Sequence, residues 1–237
     1  MPPGIGALAK RLSRYIDDAS LLRLALAHRS YCAEFPTQES NERLEFLGDA
    51  ILGLIVTDDL YRSHPLYSEG DLAQIRSAVV NADTLAPLAR SLGIGDALLL
   101  GRGEMRSGGR NKSSLLANAL EALIGAAYLA RGIEGATAFV RDVFGDEIER
   151  AASQAVLGDA KNHLQELASK LGFELPRYVV TEQGPDHEKL FHAEVELAGV
   201  SGTGVGRSKK QAERRAAQSA LAALEAKDLE NSERNDA

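Results

Sequence analysis

Residues 44–56 read LEFLGDAILGLIV, and residues 115–130 read LLANALEALIGAAYLA. Both runs are almost wholly apolar. The polar side chains that interrupt them fall one helical turn apart: Glu45 and Asp49 in the first, Asn118 and Glu121 in the second, with the Tyr128 hydroxyl beyond. Spacings of four and three put each pair on one helix face. A carboxylate buried without a partner is costly, so such groups are paired or bind metal. Neither run contains a Lys or Arg that could neutralise its own acids. If the two faces meet, they form a pocket of hard oxygen ligands suited to Mg²⁺. On an arbitrary helix, acids one turn apart mark a solvated face. Here the apolar surroundings argue against that.

Outward from these runs, the chain of 237 residues is long enough for one large domain or two smaller ones. Its apolar fraction of 44% is that of a folded soluble protein. No run reads as long enough for a membrane span, and the N-terminus lacks a basic-then-apolar secretory pattern, so a cytoplasmic location with no membrane partner is expected. The single cysteine, Cys32, fits a reducing compartment. A net charge of −7 argues by itself against a nucleic-acid partner, but the distribution matters more. Arg207, Lys209, Lys210, Arg214 and Arg215 lie close together, opposed locally only by Glu213.

Helical periodicity runs through 5–16, 20–31, 41–62, 71–92, 112–131 and 134–151. Ser40 or Asn41 is placed to cap the third helix. Residues 101–109 (GRGEMRSGG) read as a glycine-rich connector with basic contacts from Arg102, Arg106 and Arg110; they do not match a dinucleotide fingerprint. The pattern weakens near 151–159, which places a linker at 153–158. Beyond it come a short amphipathic helix at 160–172, alternating strands at 177–183 and 189–197, a glycine-spaced strand at 199–207, and a helix capped by Ser208. The last ten residues, 228–237, are acidic and polar, and disorder is expected there.

The stretch Asn41-Glu42-Arg43-Leu44-Glu45-Phe46-Leu47-Gly48-Asp49 resembles the signature of bacterial ribonuclease III. The resemblance extends to Ser68-Glu69-Gly70-Asp71-Leu72, the glycine-rich loop and Glu121-Ala122-Leu123-Ile124-Gly125. The C-terminal segment resembles a double-stranded-RNA-binding domain, with its Gly-Pro turn and Ser-Lys-Lys-x-Ala-Glu helix start. The expected fold is therefore multi-domain. An all-α endonuclease domain at 1–152 is followed by a small α+β (α-β-β-β-α) double-stranded-RNA-binding domain at 159–227. The resemblance implies Mg²⁺-dependent hydrolysis of duplex RNA, with 5′-phosphate and 3′-hydroxyl ends and staggered cuts made by a homodimer. It also implies roles in processing ribosomal RNA precursors, messenger RNAs and other structured RNAs.

Phosphodiester hydrolysis needs an activated water, stabilised phosphoryl charge and help for the leaving oxygen, and two divalent ions supply all three. The resemblance makes Glu45, Asp49, Asn118 and Glu121 metal ligands, with Asp49 and Glu121 catalytic, two Mg²⁺ per site and Mn²⁺ as a substitute. Glu42 lies a turn before Glu45 and has a supporting role, or else pairs with Arg43 or a neighbouring subunit. Glu69 matches another family carboxylate, or else caps a helix near Asp71. Asn118 departs from the family's usual Asp. Its amide oxygen still ligates Mg²⁺ but brings no charge, and the alternative is a buried hydrogen-bonding residue. His28 tempts as a general base, yet metal-bound water makes one unnecessary, and a structural role is expected.

Duplex RNA is recognised by shape, 2′-hydroxyls and phosphates. In the second domain Asn162, Gln165 and Glu166 are the expected 2′-hydroxyl contacts from the first helix. The turn Gly184, Pro185, Asp186, His187 enters a minor groove. Arg207, Ser208, Lys209 and Lys210 meet phosphates at a helix start. The absence of Trp disfavours a single-stranded substrate. One rival is a family member that binds duplex RNA without cutting, because position 118 lacks its acid. Another is a di-iron helical bundle, which requires Glu-x-x-His pairs that this chain does not have.

Overall fold

The computed structural model describes the chain apart from residues 1, 3, 66, 186–188 and 236–237, and apart from the side chains of 154–159 and 225–235. It divides into two compact units, residues 1–63 with 72–151 and residues 64–71 with 152–237.

Helices α1 (Ile5–Leu12), α2 (Ala19–Ala25), α3 (Arg29–Glu34) and α4 (Glu42–Ser63) open the chain. Short polar residues set their starts. Asp18 accepts the N–H groups of Ser20 and Leu21 to cap α2, and the His28 ring accepts that of Ser30 to cap α3. Asn41 does not cap α4 with its side chain, which is buried and donates to the Ala25 carbonyl at 3.1 Å. The expected helix at 71–92 is two, α5 (Glu69–Val79) and α6 (Ala82–Ser91). Asn81 breaks it: its backbone is extended, its Oδ1 accepts from the Thr84 N–H at 3.0 Å, and its amide donates back to Ser77 and Ala78. The glycine-rich connector is likewise more ordered than a loop. After α7 (Ile94–Ala97) it forms α8 (Arg102–Arg106) and a 3₁₀ turn at Gly109–Asn111.

Helix α9 runs from Ser113 to Lys170. The expected helices 112–131, 134–151 and 160–172 and the linker at 153–158 all fall on this one element. Gly132 within it takes φ +66°, a left-handed conformation, at the place where the apolar periodicity broke. The stretch 113–153 of α9 is long and apolar enough to cross a membrane, which corrects the expectation that no run reaches that length. Yet 56% of the 18-residue window that meets this test is buried inside the protein, and Leu116, Leu120, Leu123 and Ile124 of the same stretch are fully covered.

In the second unit, β1 (Arg177–Gln183), β2 (Leu190–Leu197) and β3 (Val200–Gly206) form an antiparallel sheet in the order β1-β2-β3, followed by α10 (Lys209–Asn235). The α-β-β-β-α order is as expected, with the end of α9 as the first helix. The α10 backbone continues through most of the acidic stretch expected to be disordered. The glycine spacing of β3 has a packing cause. A Cβ at Gly202 would lie 2.2 Å from the Ala216 carbonyl oxygen, and one at Gly204 would lie 2.4 Å from that of Ala212. Glycines every second residue on the strand therefore meet alanines every fourth residue on α10, and the two backbones touch. Leu164, Leu167, Val195, Leu197 and Leu221 fill the rest of this core.

Candidate active site and nucleic-acid interface

Two glycines that look out of place in apolar helices decide the site. A Cβ at Gly48 would fall 1.8 Å from the Glu121 carbonyl oxygen, and one at Gly125 would fall 2.4 Å from that of Leu44. Helices α4 and α9 therefore cross backbone to backbone, in the way small residues allow. Glu45 and Asp49 flank the crossing on α4, and Asn118 and Glu121 approach it on α9.

The electrostatics record this proximity. Burial pushes the Glu121 carboxyl up to about 7, helped by the charges of Asp49 and Glu45. Burial also raises Glu45, against a hydrogen bond from Asn118 that lowers it; Glu42 and Asp49 push it up, and Arg29 pulls it down. The four expected ligands are thus linked in pairs, Glu121 feeling the charges of Asp49 and Glu45, and Glu45 bonding Asn118. Among the described residues, no group of three or more His, Cys, Asp or Glu side chains stands close enough to hold a metal ion. The contacts of the cluster are pairwise. The donor set nevertheless fits Mg²⁺, being all oxygen and carrying three carboxylates whose mutual repulsion a dication relieves.

Glu42 is exposed, accepts from the Ser40 hydroxyl at 2.7 Å and stands 3.9 Å from Arg29, so its cationic neighbour is Arg29 and not Arg43. Glu69 lies in the first turn of α5, within the 64–71 segment that groups with the second unit. Of the three arginines at the glycine-rich stretch, Arg102 donates its backbone N–H to Glu34 at 2.6 Å while its guanidinium stays exposed, 3.9 Å from the same carboxylate, and the Arg110 guanidinium donates to the Gly95 carbonyl at 2.6 Å. The Arg110 guanidinium is thus taken up inside the fold. A cavity of about 450 Å³ adjoins the cluster, lined by His28, Arg29, Asn41, Glu42, Glu45, Ser114 and Asn118 among others. Arg29 and Ser114 gave no sign in the sequence, whereas the glycines of the crossing did, by falling beside the acids at helical spacing.

On the second unit, Asn162, Gln165 and Glu166 form an exposed face of α9 opposite buried Leu164, Leu167 and Ala168. Gly184 and Pro185 are exposed, whereas Asp186 and His187 lie outside the described residues. Ser208 caps α10, its hydroxyl accepting the Gln211 N–H at 3.2 Å, while Gln211 returns its Oε1 to the Arg207 N–H at 2.8 Å. Arg207, Lys209 and Lys210 are exposed. The acid opposing this cluster is not Glu213, which pairs with Lys161 at 2.8 Å. It is Glu182 on β1, 3.1 Å from Lys209 and 3.2 Å from Lys189, and these lysines hold its carboxyl below the ordinary range. Ser208, Lys210, Gln211, Arg214, Arg215 and Gln218 line a cavity of about 430 Å³ on this helix.

Residues 18–148 match the Ribonuclease-III-like family, and residues 160–224 match the double-stranded RNA binding motif. The chain is 54% identical over 207 residues to Ribonuclease 3 of Thermobifida fusca, covering 87% of this chain and 86% of that protein. It is 50% identical over 220 residues to Ribonuclease 3 of Streptomyces coelicolor, covering 92% and 79%. The nuclease domain of ribonuclease III from Campylobacter jejuni superposes with a TM-score of 0.56 at 39% identity, over 61% of this chain and 96% of that one. A crossing that gathers acids in a helical unit, a basic helix start on an α-β-β-β-α unit, and relatives matched along nearly the whole length agree: the chain belongs to the ribonuclease III family of double-strand-specific endoribonucleases.

Proposed function

We propose that the chain hydrolyses phosphodiester bonds of duplex RNA at the cluster formed by Glu45, Asp49, Asn118 and Glu121, leaving 5′-phosphate and 3′-hydroxyl ends. The observation that carries this is the α4–α9 crossing, with the Glu121 carboxyl pushed to about 7 beside two further acids. The family is one of metal-dependent nucleases, generally using Mg²⁺. Mg²⁺ bound here supplies Lewis-acid stabilisation of the phosphoryl oxygens and an acidified water. Glu45 and Asp49 hold the charge that draws the ion, and Asn118 contributes a neutral oxygen and orients Glu45. Glu121, the most strongly desolvated of the acids, positions the attacking water. Water adds to phosphorus, the bond to the 3′ oxygen breaks, and that oxygen leaves as the hydroxyl. Glu42 and Glu69 support placement of substrate or metal. We assign two Mg²⁺ to each site, with Mn²⁺ as a substitute.

A homodimer making staggered cuts fits the same picture. Phe46, Leu54 and Tyr61 of α4 are 81%, 56% and 72% exposed, an apolar face that a second copy would cover. A related structure from Campylobacter jejuni is described as flexible in a region involved in dimer formation. Ribosomal RNA precursors and other structured RNAs in the cytoplasm are the proposed substrates.

Incubation with long duplex RNA, in Mg²⁺ and in EDTA, followed by end analysis, tests this reading. Cleavage only with Mg²⁺ and the stated ends is expected. A titration of Mg²⁺ for wild type and Asn118→Asp separates ligand from lesion. Wild type should be active, with the Asp variant needing several-fold less metal because it adds a charge. A wild type inert at every Mg²⁺ level, beside an active Asp variant, removes Asn118 from the working site.

Phosphate contacts by the second unit are read from salt. Binding of duplex RNA in EDTA should weaken steeply with KCl, and Lys209→Ala with Lys210→Ala should flatten the slope by roughly one unit or more. Lys210 should give the larger share, because Glu182 already neutralises Lys209. An unchanged slope removes both lysines from the phosphate contacts.

A further inference from the structure

His28 sits in a defined hydrogen-bonding state. Its Nδ1 accepts the Ser30 N–H at 3.2 Å and lies 2.8 Å from Ser30 Oγ. That hydroxyl accepts the Gly101 N–H at 3.0 Å, which leaves its own proton free to point at Nδ1. A ring nitrogen that receives donors carries no proton, so in the neutral imidazole the proton is on Nε2. Burial keeps the ring neutral by pulling its pKa down, against the nearby Glu104. The glycine-rich stretch is what fixes the arrangement. A Cβ at Gly101 would lie 2.3 Å from the Ser30 carbonyl oxygen, so only glycine lets residue 101 reach the hydroxyl. His28 is therefore a donor at Nε2 and no general base, which sharpens the structural role expected from the sequence.

The Nε2–H group has no hydrogen-bond partner among the described residues. His28 lines the same cavity of about 450 Å³ as Glu45 and Asn118, together with Arg29 and Ser114. Arg29 is largely exposed and 3.9 Å from Glu42, too far for a tight ion pair. The lining of this cavity thus brings an imidazole, a guanidinium and a hydroxyl together with the carboxylates of Glu42 and Glu45. An RNA strand brought to a cluster of acids carries phosphates on both sides of the bond to be cut, and those phosphates are repelled by the acids. Donors in the same cavity as the acids are what such a strand requires.

We propose that His28 Nε2–H and Arg29 bind a non-bridging phosphate oxygen of the RNA backbone next to the scissile bond, with Ser114 at the edge of the same pocket. This rests on the reading that the cluster cuts duplex RNA.

The two ring nitrogens can be tested apart. Asn at position 28 keeps an acceptor near the place of Nδ1, and Asn caps helices well; it removes the Nε2–H. Gln reaches toward the place of Nε2 with its amide but gives up the cap. For His28→Asn, steady-state cleavage of a defined duplex RNA should show KM raised about five- to tenfold with kcat within about twofold of wild type, and an unchanged melting temperature. His28→Gln should melt at a lower temperature and keep a KM closer to wild type. Arg29→Ala should raise KM and flatten the salt dependence of RNA binding by about one unit, whereas His28→Asn should leave that slope alone, because a neutral donor displaces no counterion. A wild-type KM for His28→Asn overturns the proposal, as does a KM for His28→Gln worse than that for His28→Asn. A wild-type enzyme that fails to cut duplex RNA overturns the reading beneath it instead.

Discussion

Glu121→Gln is expected to bind duplex RNA as wild type does and to cleave it on the order of 10³-fold more slowly. The amide keeps the shape of the side chain and removes the charge that the metal and the attacking water need. The same substitution should act on stability in the opposite direction. The folded-state pKa of Glu121 is about 7, against an ordinary 4.5, so the folded protein holds this proton more tightly than the unfolded chain does. Its contribution to stability is complete below pH 4.5 and is lost as pH rises through about 7. With allowance for screening at a partly exposed carboxyl, the loss is roughly 1–2 kcal/mol. Melts in EDTA at pH 5 and pH 8.5 should therefore show wild type losing more stability at the higher pH than Glu121→Gln. Retained cleavage would take Glu121 out of the chemistry, and identical pH dependence would take it out of the desolvated cluster.

Gly48→Ala is expected to destabilise the protein by at least about 3 kcal/mol, the range for a backbone clash that no rotamer relieves. The added methyl would sit 1.8 Å from the Glu121 carbonyl oxygen, so α4 and α9 must part. Gly145→Ala on α9 is the control. A Cβ there meets nothing within 4 Å, and the change should stabilise by about 0.5–1 kcal/mol through helix propensity. Urea unfolding of the two variants checks the pair. If Gly48→Ala proved as stable as Gly145→Ala, the helices would not touch as described.

These two experiments bear on what could be read from the chain. The acid spacings were legible because 45 with 49 and 118 with 121 obey helical geometry, and so was the α-β-β-β-α order, because alternation and glycine punctuate it. What holds the acids together was not legible, since Gly48 and Gly125 affect only a neighbour distant in sequence. The break at Asn81 was missed for a related reason. Asn at a helix boundary and Asn within a polar helix face look alike until its hydrogen bonds are known. Gly132 worked the other way, its periodicity break marking a real left-handed residue inside one long helix. Partners of surface charge were the least legible. Arg29 and Arg102 each stand 3.9 Å from an acid elsewhere in the chain, Lys209 pairs with Glu182 at 3.1 Å, and Glu213 spends its charge on Lys161.

The Glu182–Lys209 contact has a consequence for selectivity. A lysine with a resident anion gains little by exchanging it for a single phosphate, because one partner of like charge replaces another. The exchange becomes favourable only when further phosphates engage Arg207 and Lys210 at the same moment, which demands a particular spacing along a polyanion. On the proposed phosphate contacts, the internal carboxylate would act as a threshold that isolated anions and irregular strands do not pass and a regular double helix with several phosphates in register does.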